Sequence, residues 1–240
     1  MRDVTVSGRD GGGGAPFPRT GVFLTALAVL LMLVVSAVLW SDLPAQASGS
    51  AAFGGDTSRP PRLVMALAVP GVTVMMVGCV SLGLLLGPVL DRSLGLPRQW
   101  SGRAGRAVVN AFLVLIAVFL LAMHTVLLHV EADRALFLPL ERLLILLTAG
   151  FLAGFGLLVG LMRTPARKDH MLGRWWDRAR RPVGAAVVAV GALVAVAGWL
   201  LPEAVYATPL VGLLVPAILL GCVVPLIGDQ SWKLGDRSGR

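Results

Sequence analysis

An all-α, polytopic membrane bundle is the fold class this chain predicts, on three observations. Six stretches, 20–41, 63–90, 107–130, 143–162, 182–202 and 204–228, contain no Asp, Glu, Lys or Arg. Crossing the hydrocarbon core takes about 20 apolar residues in a helix, and every stretch is that long. Only 14% of the residues are charged, whereas a soluble domain carries about 25%. Backbone groups in lipid must bond within their own segment, so each span is expected to be a helix. The chain then divides into a tail at 1–18, a six-helix transmembrane domain at 19–228 and a second tail at 229–240.

The first 18 residues hold four consecutive glycines and two prolines and have nothing to bury. They read as a flexible tail. No strand precedes the glycines and no Gly-Lys-Ser/Thr follows, so they are not a phosphate-binding loop. The first span runs Gly21 to Trp40, longer than the roughly 7–15 apolar residues of a signal peptide. An Ala45-Gln46-Ala47 sequence beyond it resembles a cleavage site, but Trp40 sits where an interfacial anchor belongs.

Pro70 falls in the second span and Pro216 in the sixth, where each removes a backbone bond and predicts a kink. Small residues spaced four apart allow helices to approach closely in lipid. The fourth span offers Gly150/Gly154 and Gly156/Gly160, and the fifth Ala185/Ala189 and Gly191/Ala195. Those two spans are therefore expected to form the centre of the bundle. An internal echo links Trp40 to Pro44 and Val69-Pro70 with Trp199 to Pro202 and Val215-Pro216, as a parallel repeat would.

Basic residues set the orientation. The segments 1–19, 91–106, 163–181 and 229–240 hold seventeen of them, and the intervening loops only Arg59, Arg62, Arg134 and Arg142. The positive-inside rule then puts both termini in the cytoplasm. The dominance of arginine over lysine suggests GC-rich bacterial coding, so the expected location is a bacterial plasma membrane.

Ionisable groups at membrane depth usually carry function. Besides Tyr206 near the start of the sixth, the spans contain only His124, His129 and the cysteines Cys79 and Cys222, and no carboxylate or basic side chain. An ion-coupled transporter is disfavoured on that ground. Haem held by two histidines needs a matched pair on facing helices, and His124 and His129 share one span. Five residues apart, they also miss the i, i+4 spacing of a helical zinc site. No catalytic set, cofactor or metal is expected, and His124 is expected to make an interhelical or backbone hydrogen bond. The two cysteines read as apolar packing residues rather than a disulfide.

Two surface features remain. At the outer end of the third span, His129, Glu131 and Asp133 stand together as candidate ligand contacts. At the inner face, Met171, Leu172, Trp175, Trp176 and Ala179 follow one helical face, with basic residues on the others. That pattern suits an amphipathic helix lying on an anionic inner leaflet, contacting lipid through Arg174, Trp175, Trp176, Arg178, Arg180 and Arg181.

Leu43-Pro44, a loop with Gly54-Gly55-Asp56, Arg59-Pro60-Pro61-Arg62 and Val69-Pro70 follow one another after the first span. Arg103 and Arg106 then precede a span containing Asn110. This order resembles the N-terminal module of the bacterial SdpI-type toxin-immunity membrane proteins over about residues 20–130. The family's loop histidine has no counterpart near Ser50, and its C-terminal signature is not visible in 140–240. The resemblance implies a non-enzymatic immunity or sensing protein that captures a toxin peptide outside and, in some members, a repressor inside. The expected partner is an extracellular peptide or another membrane subunit, with no nucleic acid. A permease subunit or uncoupled channel is the alternative, suggested by the two proline-containing spans and the basic inner loop.

Overall fold

The computed structural model describes residues 18–46, 60–93, 103–162, 171–201 and 208–222, with backbone alone at 87–93, 103–105, 171–174 and 208. Five long helices carry the fold: α1 (Arg19–Val38), α2 (Arg62–Ser93), α3 (Arg103–Glu131), α4 (Leu140–Leu161) and α5 (Met171–Leu200). All five contain a stretch long and apolar enough to cross a membrane. A sixth apolar helix, Pro209–Cys222, is shorter. It is broken at Gly212–Leu213, after the single turn α6 (Thr208–Val211). At 1.5 Å per residue it spans only about 21 Å, less than the roughly 30 Å hydrocarbon core. The multi-pass membrane class therefore stands on five described helices, and the expected sixth span falls partly on residues outside those described.

Contacts fix how the helices run. Gly21 meets Asn110 and Ser36 meets His124, so α1 and α3 are parallel. Ser36 also meets Ala66, and Met32 meets Thr73, so α2 is antiparallel to both. Phe112 pairs with Phe155 and Phe119 with Phe151, which makes α3 and α4 antiparallel. Successive helices alternate in direction, as serial crossings of a bilayer require.

The α4–α5 pair is the most extensive helix interface, and its chemistry is small residues. Gly184, Val187, Gly191, Val194 and Gly198 line one edge of α5 at alternating spacings of three and four. Ile145, Ala149, Leu152, Gly156 and Val159 do the same on α4. That spacing is the seam of a left-handed helix pair. A Cβ on Gly184 would lie 2.5 Å from the Gly156 carbonyl oxygen, and one on Gly191 2.9 Å from that of Ala149. Backbones this close need glycine, and in lipid such proximity supplies the dispersion contacts that hold helices together.

The seam departs from the expected small-residue pairs. Gly156 does face α5, and the Gly160 backbone lies against Gly184, but a Cβ on Gly150 would meet nothing within 4 Å, and Gly154 faces Leu115 of α3. Ala185 and Ala189 are exposed. The contact line on α5 instead follows the glycines seven apart. The inner amphipathic segment is not a separate in-plane helix either. Residues from Met171 onward are the first turns of α5, which continues through Pro182 without a break. Proline costs an interior backbone bond, and the packing of Ala179 and Val183 into one cluster with Val159 holds the helix together across it.

The internal echo is not matched in local structure. Pro70 lies inside the unbroken α2, whereas Pro216 lies just beyond a helix break. Residues 202–207, which would carry the second turn, lie outside the described residues.

Candidate functional site

Several polar side chains inside the α1–α2–α3 group tie the helices together or bond back to backbone. Asn110 Oδ1 accepts from the backbone N–H of Gly21 at 2.8 Å. That amide belongs to the first turn of α1, where helical N–H groups lack an intrahelical partner. Gly21 must be glycine for this to work, because a Cβ there would lie 2.7 Å from Asn110 Oδ1. Thr25 and Thr73 turn their hydroxyls back to the carbonyls of Gly21 and Val69, each at 2.8 Å.

Fourteen residues further along α3, His124 is 1% exposed and its Nε2 lies 2.9 Å from Ser36 Oγ. Ser36 Oγ in turn lies 3.1 Å from the Ala66 carbonyl oxygen. A hydroxyl has one proton, which Ser36 can give to the Ala66 carbonyl or to Nε2, and the imidazole tautomer sets which. A serine–histidine pair at this distance invites comparison with an activated nucleophile, which must also be reachable by a substrate. Here both side chains are buried. The trio acts as a lock joining three helices at one depth. The expected structural hydrogen bond of His124 is present.

A third tie closes the end of the bundle that carries the α3–α4 turn. The Arg134 guanidinium donates through Nε to Asp42 Oδ2 at 2.9 Å and makes a second contact to the same oxygen. Below it, Leu39, Leu43 and Leu128 form a buried cluster. Arg62 donates to the Trp40 carbonyl at 3.0 Å and lies 4.5 Å over its ring. Trp40 is therefore held by one cation at both its ring and its carbonyl. Hydrogen bonds from Arg134 and Ser41 hold the Asp42 carboxyl below its ordinary range.

A depressed carboxylate contributes stability that is present above its unfolded value, near pH 4, and is lost as pH falls through the folded value. Asp42→Asn is expected to leave stability at pH 7 nearly unchanged, as exposed pairs do. Its deficit relative to the parent chain should shrink as pH falls through the depressed folded value and vanish once the carboxyl is protonated in both states. Thermal melts of the two proteins across that range check this.

Of the predicted outer contacts, His129 is turned to its own helix, with Nδ1 2.8 Å from the Thr125 carbonyl. Glu131 is engaged, and Asp133 stands apart in the turn after α3. Among the described residues, no group of three or more His, Cys, Asp or Glu is arranged to hold a metal ion.

At the opposite end of the bundle, the predicted lipid-contact residues divide. Arg178 and Arg181 are exposed. Arg180 is only 8% exposed, and its Nη1 donates to the Gly160 carbonyl at 2.8 Å. A cation at the C-terminus of α4 is favoured by the helix dipole, and Asp177 lies 3.3 Å from Arg180 Nε. Trp175 donates to the Cys222 carbonyl at 3.2 Å, and both tryptophans pack on the Val159–Ala179–Val183 cluster. The side chain of Arg174 lies outside the described residues.

No family model, curated protein or solved structure matches the chain.

Residue types alone do not mark Ser36, Asn110 and the Asp42–Arg134 pair as structural ties. Ser36 and Asn110 carry a partial signal, since a polar side chain in an apolar span needs a partner. Arg134 carries none, because its partner is 92 residues away in sequence.

Proposed function

We propose that this chain is a non-enzymatic plasma-membrane protein of the immunity or sensing type, acting through its rims and through helix packing. Both termini lie in the cytoplasm in this reading, the last apolar segment completes a sixth crossing, and the membrane is bacterial. The observation that carries the proposal is the use made of the interior polar groups. Asn110, Ser36, His124, Thr25 and Thr73 each bond to another helix or to backbone. A conduction path or catalytic centre needs polar groups left facing a cavity or a substrate. The groups available for contact in this chain are instead at the water-facing ends.

The SdpI-like order of motifs in residues 20–130 supports the immunity reading, with an extracellular peptide or a second membrane protein as the partner. Two measurements test it. Reporter fusions at residue 52 and at the C-terminus should report opposite sides, with the C-terminus cytoplasmic, and a periplasmic C-terminus ends the topology. Liposomes containing the purified protein should be no leakier to ions and small solutes than empty ones. Added flux would favour the permease or channel.

A further inference from the structure

The turn between α3 and α4 closes in a form that glycine usually supplies. The Arg134 N–H bonds the His129 carbonyl at 2.9 Å, and the Asp133 N–H bonds that of Val130 at 3.1 Å. This six-to-one and five-to-two pair is the Schellman helix ending, whose pivotal residue is left-handed and most often glycine. Asp133 occupies that position with φ 52°, the one non-glycine residue with positive φ among those described. The chain contains 29 glycines, yet here it carries an acidic side chain at some cost in backbone energy.

Asp133 lines a shallow, largely open groove of about 530 Å³ at the α3–α4 turn, bordered by Leu136, Phe137, Leu138 and Pro139. Small-ligand sites typically measure about 300–1,000 Å³ and combine apolar walls with a few placed polar groups. Two charged residues line this one. Arg134 is held by Asp42, which neutralises it. The Asp133 carboxylate makes no side-chain bond among the described residues, so the groove has a net negative charge. Phe137 is 82% exposed and offers a ring face to a cation.

We propose that this groove binds an organic ammonium on a short aliphatic body, arriving from the outer aqueous phase. Asp133 pairs with the ammonium, Phe137 covers it, and the leucines take the aliphatic part. The proposal deepens the binding reading above by naming a ligand class at the outer rim. It is measured by ligand affinity rather than by flux, so the two can fail separately.

The test uses the full chain in phosphatidylcholine nanodiscs, with empty discs subtracted. Hexylammonium, hexanol and hexanoate are titrated by saturation-transfer NMR. Hexylammonium is expected to bind more tightly than either of the others, and less tightly as salt rises. Asp133→Asn should weaken it roughly fivefold, the scale of an exposed ion pair. Asp133→Gly should weaken it similarly while matching or exceeding the parent in thermal stability, since glycine suits the turn. The glycine variant separates loss of the ligand from loss of the fold. Hexanol binding as tightly as hexylammonium, or an unchanged affinity in Asp133→Asn, overturns the proposal. Affinity should be the same in discs rich in phosphatidylethanolamine, and a fall there would overturn the aqueous source in favour of the lipid amine.

Discussion

Replacing Gly184 with leucine is expected to separate α4 from α5. Its position allows no side chain, because even a Cβ would come within 2.5 Å of the Gly156 carbonyl oxygen and 2.8 Å of the Gly160 amide nitrogen. Both obstacles are backbone, so no rotamer change relieves them. Overpacking costs about 1–3 kcal/mol where neighbours can shift, and here the relief is the loss of the helix contact itself. The effect should reach or exceed the upper end of that range in a denaturant or SDS titration. Gly150→Leu on α4 provides the comparison, since a Cβ there meets nothing within 4 Å. It should stay within about 0.5 kcal/mol of the parent. Equal losses from the two substitutions would mean that the α4–α5 seam is not the closest backbone approach.

The second large effect is expected at His124. His124→Ala removes a fully buried ring and the Ser36 contact together. Interhelical hydrogen bonds in membranes are worth about 0.6 kcal/mol and at most about 1.7, so the bond alone is a modest loss. Emptying the space of a buried aromatic ring costs about 3–5 kcal/mol, so lost packing outweighs the lost bond. A total near 3 kcal/mol is the expected result.

His124→Gln should recover much of it, because the glutamine amide nitrogen reaches about as far as the imidazole Nε2. Asparagine reaches only as far as Nδ1 and should recover less. Ser36→Ala should cost about 1–2 kcal/mol, from the lost bonds to His124 and Ala66. In the Ser36→Ala background the His124→Gln penalty should shrink, since residues that share a bond are not additive. Full additivity would mean that the three helices are not locked through this trio.

Both effects fall on residues whose importance is only partly visible in the sequence. Gly150 and Gly156 are equally small and lie on the same helix, yet only Gly156 is packed. Helical position cannot separate the two without knowing how α4 is rotated toward its neighbour. His124 is plainly a residue that needs a partner, but the partner is 88 residues away on α1. Arg180 has the same sequence surroundings as the exposed arginines of the inner segment. It is nevertheless bonded to the end of α4, because α5 begins at Met171 and carries its first turns past α4's last carbonyls.

By itself, the sequence determined that this is a multi-pass membrane protein and where the apolar cores of its five long helices lie. A charge-free run of 20 or more residues is a local property, and the cost of exposing backbone to lipid makes a helix of it whatever its neighbours are. Tertiary structure alone decided which faces meet. In lipid, apolar side chains gain little by choosing protein over acyl chains, so hydrophobic pattern cannot assign a face. The assignment falls to close backbone approach at Gly156, Gly184 and Gly191 and to a few bonds between distant residues. Those depend on the relative rotation and depth of two helices, which no single segment specifies.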